Sequence, residues 1–349
     1  MTLSRRQFGG NLGLAALGVW AGGAAHAATR TASADAEFWF VSPELRPYAR
    51  KFSGGKDYTY AQVYKEQAEQ LEEKVVFEKH PPVVKQLVPV PGGPPVTVYM
   101  TNVQPGASRP AIVHTHGGGY FLGDAISCVP AIQDWAKELD CFAATVEYRL
   151  APETTYKGSV EDNYAALRYV YEHAHELGVD RQRIAVMGES AGGGHAALLA
   201  LTARDRGEVP VAFQALIYPM LDDRTGTSRP VPKNMGTLVW TRGDNRVGWR
   251  AFLGQEPGTS QVPTVAVPAR HADLTGLPPA FIAVGSIDLF CDEDIEYARR
   301  LADTGIRTEL LVVPGAFHGF DLLCPSAKLT QSFTATKMKV LKRALAGQF

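Results

Sequence analysis

Residues 187–194 read Met-Gly-Glu-Ser-Ala-Gly-Gly-Gly. An apolar run, Arg183 to Met187, leads into them, and an alanine-rich segment follows as far as Arg204. Strand, sharp turn and helix around G-x-S-x-G, here Gly188 to Gly192, is the setting in which a serine oxygen is pushed out of the backbone. Small residues two before and two after the serine let neighbouring strands and the helix approach without a Cβ clash. The serine also stands at a helix N-terminus, where free N–H groups favour an anion. The plainer interpretation is a glycine-rich turn with Ser190 as a helix cap. The strand before and the helix after favour Ser190 as a nucleophile.

Outward from this turn, the chain alternates between short apolar strands and amphipathic helices. Strands are expected at Ala111–Thr115, Phe142–Tyr148, Arg183–Met187, Ala212–Tyr218, Ala280–Val284 and Thr308–Val313. Helices are expected at 131–139, 160–177, 191–204, 292–302 and 332–345. This rhythm implies βαβ units, a mostly parallel central sheet and helices on both faces, an α/β fold. Upstream, Val83–Val90 and Val96–Thr101 read as a hairpin punctuated by Pro91-Gly92-Gly93-Pro94-Pro95. Residues from about 34 to 75 look helical, Tyr58 to Lys74 most clearly. An insert from Leu221 to Pro268 breaks the alternation, and its Trp240, Trp249, Phe252 and Leu253 give it something to pack. With the N-terminal helices it is expected to cap one end of the sheet.

A serine nucleophile needs a base, and histidine titrates in the right range. Of nine histidines, His318 lies just past the last strand, in Pro314-Gly315-Ala316-Phe317-His318-Gly319-Phe320. Catalytic residues of an open parallel sheet come from loops at the carboxyl ends of strands, a rule that Ser190 and His318 both satisfy. His195 belongs to the helix after the serine; His173 and His175 do not share a helix face; His80 and His271 sit in loops without chemical neighbours. In the order serine, acid, histidine, the orienting carboxylate lies between the two. Asp288, after the strand that ends at Val284, fits best; Asp292 and Asp321 are the alternatives.

Residues 114–120, His-Thr-His-Gly-Gly-Gly-Tyr, follow another strand. Bare backbone presents N–H groups to developing negative charge, so Gly118 and Gly119, with Ala191, are the candidate oxyanion donors. His116 and Gly117 are expected to support that loop. A His114-x-His116 metal pair competes with this, but no third ligand has supporting spacing, and neither metal nor organic cofactor is expected.

The composition suits one large or two small globular units: 349 residues, 45% hydrophobic, 20% charged, formal net charge -1. No basic run marks a nucleic-acid partner. No apolar run after the N-terminal segment is long enough to span a membrane, and stable insertion is not expected. Ser4-Arg5-Arg6-Gln7-Phe8, the mildly apolar Leu12 to Gly22 and Ala25-His26-Ala27 together read as a twin-arginine-type signal, residues 1–27. Cleavage after Ala27 would leave about 320 residues and a periplasmic protein. The four cysteines, Cys128, Cys141, Cys291 and Cys324, have no CxxC spacing. A disulfide between Cys291 and Cys324 is one expectation to test, since their loops follow the acid and the histidine. The sequence does not specify an oligomeric state.

Four stretches in this order resemble the hormone-sensitive-lipase-like, bacterial family of α/β-hydrolase esterases: His116-Gly117-Gly118-Gly119, Tyr148-Arg149-Leu150-Ala151-Pro152-Glu153, Gly188-Glu189-Ser190-Ala191-Gly192-Gly193 and Phe317-His318-Gly319-Phe320. The resemblance covers roughly residues 80 to 349. It implies an α/β-hydrolase fold with a helical cap, and a serine carboxylesterase or lipase acting on a small-molecule ester. It also implies Ser190, Asp288 and His318 as the triad, with Gly118, Gly119 and Ala191 as the oxyanion hole. Glu189 departs from the usual aspartate or threonine, and Leu289 from the proline common after the acid. Arg149 and Glu153 are expected to tie loops together, and Tyr120 and Phe121 to shape an apolar pocket. The implied layout is an N-terminal cap over 28–80, a catalytic domain over 81–349 and a cap-like insert at 221–268. An amidase or peptidase with the same triad, or a non-catalytic ligand-binding homologue, are the alternatives.

Overall fold

The computed structural model describes residues 37–53 and 75–349. The export-type segment and the helix expected over Tyr58 to Lys74 lie outside the described residues. The strands are β1 (Val83–Val88), β2 (Val96–Thr101), β3 (Arg109–Thr115), β4 (Phe142–Glu147), β5 (Val179–Glu189), β6 (Phe213–Ile217), β7 (Ala280–Gly285) and β8 (Thr308–Val313). They form one eight-stranded sheet in the order β1-β2-β4-β3-β5-β6-β7-β8. Pairs β1–β2 and β2–β4 are antiparallel, and every pair from β4 to β8 is parallel. The chain has an α/β-hydrolase fold. Strands β6 and β7 are buried along their whole length, as the interior of a sheet covered on both faces requires.

Helices α1 (Arg46–Ala49), α2 (Val129–Leu139), α3 (Tyr156–Glu172), α4 (Ala174–Leu177), α5 (Ala191–Arg206), α6 (Arg242–Leu253), α7 (Cys291–Asp303), α8 (Phe320–Leu323) and α9 (Lys328–Leu345) complete the described residues. Side chains of β3 alternate between two cores. Ala111 and Val113 join α3 and α5 on one face, and Ile112 joins α2 and α9 on the other. The helix expected over 160–177 starts earlier, at Tyr156, and breaks at His173 (φ −98°, ψ 23°) into α3 and α4. The closing helix starts at Lys328, and an extra turn, α8, stands between it and His318.

The insert is stitched into the core by its aromatics. Its helix α6 begins with a capping box, Thr241 and Asp244 each bonding the other's backbone N–H. Phe252 stacks on Tyr120 with ring centroids 3.9 Å apart, and Trp249 meets the same tyrosine at 5.1 Å. The N-terminal segment is tied both to the loop after β8 and to the insert: Ser42 N–H donates to Gly315 O (2.9 Å) and Val239 N–H to Phe52 O (2.8 Å). All four cysteines are free, so the Cys291–Cys324 disulfide is not formed. Both sulfurs pack in one apolar cluster, and burial pushes both thiols up to about 12.

His195, on α5, is enclosed by Tyr120, Tyr148 and Phe252, and neither ring nitrogen has a hydrogen-bond partner. Burial, aided by His116, lowers it from 6.5 to about 3, so it stays neutral in the fold. The unfolded chain takes up a proton below about pH 6.5 that the native state refuses, so stability is lost as pH falls through that range. His195→Leu is expected to gain about 2 kcal/mol more, relative to wild type, at pH 5 than at pH 8. Urea unfolding midpoints at the two pH values measure the difference.

Candidate active site

The site collects at the carboxyl ends of the parallel strands. Ser190 follows β5, Asp288 follows β7, His318 follows β8 and Gly117 to Gly119 lie just past β3. Ser190 has φ 58° and ψ −124°, a conformation that side-chain-bearing residues rarely adopt. Its N–H donates to Ile217 O (2.9 Å), and its carbonyl accepts from Gly194 N–H (3.0 Å) and Met220 N–H (2.9 Å). A methyl on Gly188 would lie 2.3 Å from Gly192 O, and one on Gly192 would lie 2.0 Å from Thr115 O. These two positions therefore exclude any side chain, because β3, the turn and α5 already touch.

Ser190 Oγ–H donates to His318 Nε2 at 2.8 Å, and His318 Nδ1–H donates to Asp288 Oδ2 at 2.8 Å. Asp288 is buried, and its other oxygen accepts Phe290 N–H at 3.0 Å. Tyr218 and Phe290 meet the imidazole edge-on, at 4.9 and 5.2 Å, and hold its plane. Of the alternative acids, Asp292 is exposed, and Asp321 is engaged by the Tyr218 hydroxyl (2.8 Å) and Lys337 Nζ (3.6 Å). The arrangement can deprotonate a hydroxyl as it attacks an electrophile, with the resulting imidazolium held against a carboxylate.

The glycine loop lies directly against the serine: a methyl on Gly117 would stand 3.5 Å from Ser190 Cβ. Gly118 (φ 124°) and Gly119 (φ 62°) both have left-handed backbones. Among the described residues their N–H groups have no acceptor, while Gly118 O accepts from Phe121 and Leu122. Ala191 opens α5, where the N–H has no intrahelical partner. His116 Nδ1–H donates to Gly117 O (2.8 Å), its ring stacks on Tyr148 at 4.2 Å, and the Tyr148 hydroxyl donates to His116 O (2.6 Å). Burial holds His116 down at about 4, so it is a neutral post rather than a charge near the serine.

His114 has different partners. Its Nε2–H donates to Glu189 Oε2 (2.7 Å), and Nδ1 pairs with the Thr145 hydroxyl (2.9 Å). Burial raises the Glu189 carboxyl, but the charge and hydrogen bond of His114 outweigh it and hold the group below its usual range. The departure at position 189 thus has a dedicated partner. Tyr120 and Phe121 are both buried in the core. The aromatic on the loop is Trp240, whose ring a Gly119 methyl would meet at 2.1 Å. Its insert was legible as something that packs; its target was not. Arg149 grips Asp162 through Nε and Nη2 (2.8 and 2.7 Å), whereas Glu153 is exposed and makes no comparable tie among the described residues.

Residues 112–322 match the family described as the alpha/beta hydrolase fold, and the chain belongs to that family. Among its relatives, it is similar to carboxylesterase NlhH of Mycobacterium tuberculosis, 37% identical over 72% of this chain and 78% of that protein. The ethyl acetate hydrolase of Pseudomonas putida is 30% identical over 65% of this chain and 71% of its own. Among solved structures, a bacterial heroin esterase superposes with a TM-score of 0.80 at 36% identity, covering 88% of this chain and 99% of that one.

The loop geometry makes a stability prediction. A Gly118→Ala methyl would fall 2.0 Å from the main-chain oxygen of Leu122, whereas a Gly119→Ala methyl meets only the tip of the Trp240 ring. Gly118→Ala is expected to be the more destabilising of the two. In a Trp240→Ala background, Gly119→Ala should cost less than it does in wild type, because the ring it would strike is gone. Thermal midpoints of the five proteins, wild type included, decide it.

Proposed function

We propose that this protein is a serine carboxylic-ester hydrolase that works through an acyl-enzyme. The observation that carries the proposal is the continuous Ser190–His318–Asp288 relay, with both bonds to the imidazole at 2.8 Å. Ser190 Oγ attacks the ester carbonyl carbon while His318 Nε2 takes its proton. Asp288 holds Nδ1–H in place and stabilises the imidazolium that forms. The carbonyl oxygen gains negative charge, which the N–H groups of Gly118, Gly119 and Ala191 receive. His318 returns the proton to the departing alkoxide, leaving Ser190 acylated. Water, deprotonated by His318, then attacks the acyl carbon, and the carboxylic acid leaves as Ser190 regains its proton. The relatives support ester chemistry by name: one is a carboxylesterase, another an ethyl acetate hydrolase. Trp240 over Gly119 favours small to medium acyl groups, because an indole ring occupies space beside the oxyanion donors.

Export belongs to the same proposal. It is supported by Arg5-Arg6 ahead of a mildly apolar stretch and by Ala25-His26-Ala27. Protein recovered from the periplasm of an expressing bacterium should begin at Ala28, and a full-length chain there would count against it.

p-Nitrophenyl esters with acyl chains of about two to sixteen carbons, with matching anilides, test the chemistry. Turnover is expected on the shorter esters and to fall by about 10⁴-fold or more in Ser190→Ala. Asp288→Asn should lose about 10⁴-fold in kcat, because the imidazole tautomer is no longer fixed. Equal turnover by wild type and Ser190→Ala would refute the relay, and anilides outpacing esters would replace the esterase with an amidase.

A further inference from the structure

A second cavity, of about 290 Å³, lies between α7 and the first residues of the insert, and none of Ser190, Asp288 or His318 lines it. Its walls are rich in donors whose acceptors are already taken. Asp222, fully buried, accepts from Arg224 Nε (2.7 Å), Arg224 Nη2 (2.9 Å), the Arg224 N–H (3.0 Å) and Arg229 Nη1 (3.2 Å). That fills the four acceptor positions of its carboxylate. Each guanidinium carries five N–H groups, so Arg224 and Arg229 keep donors beyond those Asp222 uses. Arg300 donates Nη1 to Ala269 O (2.7 Å) and Nη2 to His271 O, and brings a third positive charge to the wall.

Two further groups sharpen the chemistry. The Tyr297 side chain is 1% exposed, and its buried hydroxyl has no hydrogen-bond partner. Glu293 accepts the N–H groups of Leu221 (2.6 Å) and Asp222 (3.1 Å) on Oε1, while its buried Oε2 has no partner. Burial, with the negative Asp222 beside it, pushes this carboxyl well above its usual range, against the pull of Thr225 and the two N–H groups. The remaining acid on the wall, Glu296, is held by Arg299 at 2.9 Å. Arg224 and Arg229 therefore keep unused donors beside Asp222, and a buried phenol has nothing to donate to. A wall of this kind suits a compact ligand with several acceptor oxygens and a negative charge.

We propose that this cavity binds a small oxyanion, a short-chain carboxylate or inorganic phosphate, between the Arg224, Arg229 and Arg300 guanidiniums and the Tyr297 hydroxyl. The site is separate from the relay at Ser190 but connected to it through the main chain. Glu293 holds the N–H groups of Leu221 and Asp222, and Met220 N–H, one residue earlier, holds the Ser190 carbonyl.

Direct titration of the full-length protein with acetate, butyrate and phosphate, with sodium chloride keeping the ionic strength constant, tests it. Calorimetry and thermal midpoints are the readouts, so the outcome does not depend on esterase turnover. Saturable binding is expected with a Kd of about 10 mM or tighter for at least one of the three anions. Tyr297→Phe removes a hydroxyl that has no partner in the fold, so it should melt no lower than wild type without anion. It should still weaken anion binding by about tenfold. Arg229→Gln should weaken it at least as much. Both substitutions leave the Ser190 cleft untouched, so binding that persists unchanged in both belongs elsewhere and overturns the proposal. Chloride acting as well as the oxyanions, or no saturation by any of them, overturns it too. The three anions separate a carboxylate site from a phosphate site.

Discussion

The backbone at Ser190 is the constraint on which the rest of the structure depends. A serine at φ 58° and ψ −124° is costly, by the order of 1–3 kcal/mol, and persists only when its surroundings over-determine it. Three main-chain hydrogen bonds do so, to Ile217 and from Gly194 and Met220, and they tie the turn to β6, to α5 and to the residue just before the insert. The same turn requires β3 and α5 to touch, which Gly188 and Gly192 permit. Thr115 seals the contact by donating its hydroxyl to Gly192 O at 2.7 Å. Because β3 is pinned there, the glycine loop that continues it is brought against the nucleophile. The N–H groups of Gly118 and Gly119, the proposed oxyanion donors, are thus placed by the same packing that strains the serine.

The electrostatics around that turn follow from burial. Two histidines close to it, His116 and His195, are held neutral, at about 4 and about 3. Neither adds positive charge next to Ser190. The half-buried carboxylate next to the serine in sequence, that of Glu189, is matched by His114, itself bonded to Thr145. A carboxylate at that position without such a partner would be a buried uncompensated charge, which is strongly destabilising. Glu189 and His114 are therefore best regarded as one feature of this chain, separated by 75 positions in sequence.

That separation shows where sequence reasoning stops. The strand–helix alternation is local and periodic, so the strands, their parallel arrangement and the loops carrying Ser190, Asp288 and His318 could be placed from it. Asp288 was separable from Asp292 because one lies where the strand has just ended and the other begins a helix. The pairing of His114 with Glu189 could not be found this way, since adjacency across a sheet leaves no periodic trace. Trp240 is the same case: an aromatic in an irregular insert announces burial but not its target. Helix starts were misplaced where Gly158 and the turn before Tyr156 blurred the N-terminus of α3, and where the polar first turn of α9 hid Lys328 to Gln331. The expected Cys291–Cys324 bond followed from loop proximity alone; the structure uses both sulfurs as small apolar groups instead.

The first turn of α7 shows how a run of like charges can be read wrongly. Asp292, Glu293 and Asp294 resemble carboxylates placed to complement a helix dipole, a surface role. Only Asp292 is exposed; Glu293 and Asp294 are buried, and both are pushed well above the usual carboxylate range, chiefly by burial. For Asp294 the nearby Glu293 and Asp288 add to the effect. The upward shift of both eases what would otherwise be a crowd of negative charge close to Asp288. Asp288 bonds the imidazole through one oxygen and accepts Phe290 N–H on the other. The run Asp288 to Asp294 is therefore not one acidic patch but a partner for the histidine, an exposed acid at the helix end, and two buried side chains, of which Glu293 caps the backbone behind the serine.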